Sequence, residues 1–223
     1  GTGVDAYGLV VKGSANGIGL YDGVSGLGVE IGGQGGRVDI ASGIKVDGLI
    51  SGSAEQAGAV GLHLKSGATA PVIANSGVIQ GLVTSGTAVD VRAIQIDAGA
   101  AVSQLTNNGT LAAAITGAKG SATAVLDAAG SLTLVENTGL IRAALTPSDE
   151  AAVEGQAIAL DLRANTTGVT VRQSANSVET VVPTITGDVL FGSGPARMEL
   201  LAGQMNGALS FGAGADALVV DGG

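Results

Sequence analysis

One phrase recurs along this chain. Asn75-Ser76-Gly77 and Asn107-Asn108-Gly109 each open a run of three short apolar bursts, and Asn137-Thr138-Gly139 opens another. A degenerate earlier copy starts at Ala41-Ser42-Gly43, so the marker glycines 43, 77, 109 and 139 stand 34, 32 and 30 residues apart. A copy of that length cannot bury an apolar face alone and has to stack on its neighbours, which makes the chain a repeat array.

The copies superpose. After each marker glycine, alternate positions read Val46/Gly48/Ile50, Ile79/Gly81/Val83, Leu111/Ala113/Ile115 and Ile141/Ala143/Leu145, with one extra residue, a bulge, in the first. A period of two with one apolar face is a strand set against a core. A second burst follows (Gly61–Leu64, Ala93–Ile96, Thr123–Leu126, Ile158–Leu162), then a third (Pro71–Ile73, Val102–Leu105, Leu132–Val135, Val169–Val171). The register of the second burst stays open by one residue. Three strands and three turns in about 30 residues make one coil of a triangular solenoid. No long window keeps a helical stripe without Gly, Thr, Ser or Val breaking it, and Ser148–Gln156 reads as a loop or a single helical turn extruded from a corner. A β-sandwich would give short strands but requires no recurring phrase.

These patterns predict an all-β, right-handed single-stranded parallel β-helix, a three-sided β-solenoid of about seven coils, about 30–35 Å long. Residues 1–40 read as irregular first coils and 41–173 as coils of 30–34 residues. Residues 174–223 read as a transition into tighter coils, because Gly187–Gly194 is echoed by Gly207–Gly214 after 20 residues, stacking Phe191 with Phe211. At the corner, Asn75, Asn107 and Asn137 are expected to stack into an internal amide ladder, with Gly77, Gly109 and Gly139 supplying a positive φ. Replacing Asn107 with Ala is expected to loosen that corner and lower thermal stability.

Composition excludes several functions. The 223 residues hold 39 Gly, no Trp, no Cys, two Phe and two Tyr, so the core is narrow and filled by Ala, Val, Ile and Leu. With 45% hydrophobic residues the chain is too apolar for disorder. A net charge of −9 with ten scattered basic residues argues against nucleic-acid or anionic-membrane binding. Disulfides and thiolate metal sites require cysteine, and no apolar run is long enough for a spanning helix. Both termini fall in repeat-like text without a leader pattern, as in a piece of a longer protein.

The Asn-x-Gly openings at 75–77, 107–109 and 137–139, with the closing phrase Ile185–Gly192 through Ala213–Asp216, resemble the passenger regions of bacterial type V autotransporters. The likeness is to large Gly/Ala/Val-rich, adhesin-like alphaproteobacterial members, and it covers roughly 41–223. It implies a right-handed β-helix exported to the surface of a Gram-negative cell through a C-terminal outer-membrane barrel, which this sequence does not contain.

Candidate chemistry is sparse. His63, the single histidine, lies between Leu62 and Leu64 and so points outward; no G-x-S-x-G elbow accompanies it, and it reads as an ordinary surface residue. Asp90 and Asp97 bracket one strand without recurring in adjacent copies, Asp47 has no acidic counterpart at Gln80 or Ala112, and only Tyr7 and Tyr21 could stack on sugars. Gly212–Asp216 resembles a calcium repeat, but Pro195-Ala196-Arg197 occupies the matching earlier position. Gly17-Ile18-Gly19 leads into no helix, as a phosphate loop would. No catalytic residue, metal site or cofactor is therefore assigned. The acidic excursion with Asp149, Glu150 and Glu154 is the candidate surface-interaction loop.

The expected role is an extracellular stalk or adhesion surface that contacts a host or cell-surface ligand. The alternatives are a filament or surface-layer subunit stacked end to end through open strand edges, and a polysaccharide-active enzyme.

Overall fold

In a computed structural model describing residues 6–147, 152–176 and 181–221, the described chain is all strand, turn and bend. After β1 (Leu9–Val11), the first coil holds β2 (Ser14–Gly19), β3 (Gly26–Ile31) and a split third side, β4 (Val38–Asp39) with β5 (Ile44–Val46). The second coil holds β6 (Leu49–Glu55), β7 (Ala59–Leu64) and β8 (Ala68–Asn75), and the third β9 (Val78–Thr84), β10 (Asp90–Ile96) and β11 (Ala101–Asn107). The fourth holds β12 (Thr110–Thr116), β13 (Ser121–Asp127) and β14 (Leu134–Asn137), and the fifth β15 (Leu140–Thr146), β16 (Gln156–Leu162) and β17 (Val169–Gln173). Two shorter coils follow: β18 (Thr184–Thr186), β19 (Asp188–Phe191) and β20 (Ala196–Leu200), then β21 (Gln204–Asn206), β22 (Leu209–Ser210) and β23 (Ala217–Val220).

Every pairing is parallel and joins one coil to the next. Sheet I stacks β2-β6-β9-β12-β15-β18-β21 and sheet II stacks β3-β7-β10-β13-β16-β19-β22, each seven strands deep, about six full turns from first to last. Sheet III runs β1-β5-β8-β11-β14-β17-β20-β23, with β4 also on β8. The molecule is a three-sided parallel β-helix.

Register corrects the earliest copy. Ile79, Gly81 and Val83 pair with Ile50, Gly52 and Ala54, so the inward triplet of that coil is not Val46/Gly48/Ile50. Its marker glycine is Gly48, whose carbonyl accepts the Val78 N–H. The Ser42-Gly43 phrase is a different turn, with φ of 65° and 89°, that bends the chain between β4 and β5. Residues 14–46 already form a full coil, because β2 pairs with β6 over six residues. The later triplets stack as their spacing requires: Ile79, Leu111 and Ile141, then Gly81, Ala113 and Ala143, then Val83, Ile115 and Leu145.

The large-small-large pattern has a cause in cross-section. A Cβ on Gly52 would lie 2.1 Å from the Val60 carbonyl oxygen, and one on Gly81 2.3 Å from that of Arg92. Sheets I and II thus approach backbone to backbone along the middle column. The pinch divides the interior into a main aliphatic core, with Ile79, Ile94, Leu105 and Val135, and a satellite core of Ala59, Val83, Val91 and Ile115. Phe191 and Phe211 close the shorter coils, stacked with ring centroids 5.2 Å apart and planes 5° apart.

The marker glycines are required for space, not for positive φ. Gly77, Gly109 and Gly139 lie outside the positive-φ set. A Cβ on each would meet the carbonyl oxygen of the marker glycine one coil earlier (Gly48, Gly77 and Gly109) at 2.0, 2.1 and 2.2 Å. Gly109→Ala is therefore expected to lower stability by about 1–3 kcal/mol through backbone displacement. Gly86→Ala, where a Cβ meets nothing within 4 Å, is expected to leave the melting temperature unchanged or slightly raised. Thermal unfolding of the two variants, followed by circular dichroism, checks the contrast.

Candidate functional site

The corner from sheet III to sheet I is built from one two-residue turn repeated: Asp47-Gly48, Ser76-Gly77, Asn108-Gly109 and Thr138-Gly139. Just before it the strand ends in an inward amide. Asn75, Asn107 and Asn137 are at most 2% exposed and occupy one register position. Asn75 Nδ2 donates to Asn107 Oδ1 at 2.8 Å, and Asn107 Nδ2 to Asn137 Oδ1 at 2.8 Å. Asn137 Nδ2 in turn donates to Gln173 Oε1 at 2.9 Å. Gln173 is a fourth rung that the Asn-x-Gly search missed; its signal is the amide two residues beyond inward Val171, as Asn107 stands two beyond Leu105. Its longer side chain ends the column on the carbonyls of Ala202 and Gln204, at 3.1 and 3.0 Å. At the other end Val46 lies in register with Asn75, and Asn75 Oδ1 is buried without a hydrogen-bond partner. The ladder therefore has a direction and an unsatisfied acceptor at its N-terminal end.

The corner from sheet II to sheet III holds two buried polar groups that the repeat does not announce. Asn165 is 1% exposed; its Nδ2 donates to the Leu132 carbonyl at 2.7 Å, and its Oδ1 accepts the Gly168 N–H at 2.7 Å. Asp127, in register with inward Ile96, is 1% exposed. One carboxylate oxygen accepts the Leu132 N–H at 2.8 Å, and the other is buried without a partner. Burial pushes the Asp127 carboxyl above its ordinary range, against the N–H groups of the following turn, which favour the anion.

Charge gathers on the outer faces of sheets II and III. His63 lies on the outer face, as its flanking leucines imply, yet its side chain is only 13% exposed. Its Nε2 is 2.8 Å from Asp97 Oδ2 and its Nδ1 is 3.8 Å from Glu30 Oε2, which also meets Lys65 Nζ at 3.0 Å. Asp97 accepts from Gln95 Nε2 at 2.7 Å. His63 is thus the centre of a network across three coils and not an ordinary solvated residue. Asp90 pairs instead with Arg92, and Asp47 with Ser76 and Lys45. On sheet III, Glu199 lies between Arg172 (2.6 Å) and Arg197 (2.5 Å), which hold its carboxyl below the usual range, and Arg172 reaches Glu136 at 3.5 Å.

The remaining candidates have structural partners. Asp216 accepts the Ala196 N–H at 2.8 Å one coil back, and Asp188 that of Ala208 at 2.8 Å. Gly17 and Gly19 lie within strand β2. Tyr21 is exposed and Tyr7 half-buried. Among the described residues no group of three His, Asp or Glu side chains could hold a metal ion. Asp149 and Glu150 lie outside the described residues. Glu154 is exposed, its N–H bonded to the Ala118 carbonyl at 2.8 Å and its carboxylate 3.5 Å from Lys119 Nζ. The excursion that carries it is therefore tied down where it rejoins the solenoid.

A scan of protein-family models, a search of curated proteins and a search of solved structures each return no match to this chain.

The Asp127 environment has a pH signature. A carboxyl with a raised folded pKa contributes stability that is present below its unfolded pKa and lost as pH rises through its folded pKa. Asp127→Asn removes that loss. The melting temperature of the variant minus that of wild type is expected to increase between about pH 4 and about pH 7; a difference independent of pH contradicts the assignment.

Proposed function

We propose that this chain is an extracellular structural segment of a secreted or cell-surface protein of the autotransporter kind, acting as a rigid stalk or adhesion surface. The observation that carries this reading is the contrast between the two sides of each strand. Inward, the same aliphatic, small and amide residues recur in register from β6 to β15. Outward, the row through His63 reads Glu30, His63, Gln95, Leu126 and Asp161, so in that row no ionisable group passes unchanged from one coil to the next. A fold grants no activity by itself. A register-locked stack resists local opening, which suits a segment exposed to proteases and shear.

An antibody raised against the chain tests the reading on intact cells of the source bacterium. Surface labelling without permeabilisation is expected. Labelling that emerges only after the envelope is broken contradicts it.

A further inference from the structure

The three outer faces are not equivalent. The strands of sheet II contain Glu30, His63, Asp90, Arg92, Asp161 and Asp188 among their polar residues, and those of sheet III Lys45, Glu136, Arg172, Arg197 and Glu199. The seven strands of sheet I hold two charged residues, Glu55 and Arg142. Between them the outward side chains are uncharged: Ser, Thr, Ala and Gln80 beside aliphatic residues. Leu82, Ala114 and Ala144 form one outward row, and Thr84, Thr116 and Thr146 the next. Leu82 is 37% exposed, Leu140 38% and Ile18 60%. Ile18, Leu20 and Leu82 also line an open groove at its N-terminal end.

We infer that the outer face of sheet I is an interface on which a second copy of this chain packs face to face. Area supports that occupant. Seven strands at about 4.8 Å, the central ones of seven residues at about 3.3 Å, give roughly 500–600 Å² per copy after allowing for the shorter end strands. Two such faces bury about 1,000–1,200 Å², enough for a specific interface. Shape supports it too: the Ala114–Ala144 and Thr84–Thr116–Thr146 rows are small enough for two sheets to approach to about 10 Å. The charges agree. Glu55 lies on β6 and Arg142 on β15, either side of the β9–β12 pair. A two-fold axis between β9 and β12, along the strands, lays β6 over the partner's β15 and brings no like charges together. Each like-charge pair is then about 14 Å apart, three strand spacings. The inference goes beyond the proposed role and holds wherever the chain resides.

Sedimentation equilibrium of the whole chain tests it. A concentration-dependent species of twice the 21.3 kDa chain mass is expected. Leu82→Arg and Ala114→Arg should each weaken it at least about tenfold, a change of about 1.4 kcal/mol. Ser103→Arg, on the exposed face of sheet III, should leave it unchanged, and circular dichroism melts confirm that all variants fold. A chain that stays monomeric at about 100 μM, well above a micromolar Kd, overturns the inference. So does an assembly that survives both arginine variants but is lost in Leu218→Arg, which would place the contact at the solenoid end. A monomer that binds an uncharged glycan on this face, with the binding lost in Leu82→Arg, overturns it as well.

Discussion

The structure depends on register at one corner. Coils pair by parallel backbone hydrogen bonds, and a slip of one residue would turn every inward side chain outward. The turn from sheet III to sheet I prevents that slip over the coils where it is two residues long. Asn108 and Gly109 both donate to the Asn75 carbonyl, and Thr110 to that of Gly77, so pairing between coils continues through the turn without a gap. Beside it, the amide ladder satisfies the inward amides apart from Asn75 Oδ1, and the glycine column lets successive backbones touch. Ladder and column reinforce each other: a Cβ at the glycine would push the coils apart and lengthen the amide contacts.

From β5 to β15, variation in connection length is confined to the other two corners. Between sheets I and II the connection is Gln56–Gly58 in one coil and Ser85–Val89 in the next; between sheets II and III it lengthens from Lys65–Gly67 to Ala128–Thr133. Insertions there leave the core columns undisturbed, because the fixed corner resets the register once per coil. The unequal spacing of the markers is the accumulated length of these loops. The acidic excursion after β15 obeys the same rule: Gly155 and Gln156 rejoin the ladder on the carbonyls of Ala118 and Gly120.

Architecture was legible in the sequence because the corner is written in residues whose chemistry is specific. Asn-x-Gly needs both an amide and a position without Cβ, and few other contexts ask for that pair. The first coil misled because Val46 replaces the amide, while Ser42-Gly43 imitates the marker with a turn of its own; the Asn75 oxygen left without a donor is the physical trace of that substitution. Gln173 escaped because its longer side chain fills the same place without a following glycine. The role of the glycines was misread for a related reason: sequence shows that a Cβ is excluded but not whether φ or proximity excludes it. The His63 network and the sparsely charged face of sheet I were invisible because both arise from residues about 30 positions apart. Function was least legible, since what repeats is what stacking needs, and the outward residues change from coil to coil.

Native-state amide hydrogen exchange tests the central claim most directly, because it reads the opening energy of each backbone hydrogen bond. If this corner sets the register, the N–H groups of Asn108, Gly109, Thr138 and Gly139 exchange as slowly as those of the central strands β9 and β12, and only by global unfolding. The account is contradicted if they exchange as fast as the N–H groups of the variable corners, such as Ser85 and Ala128, while the strands on either side stay protected.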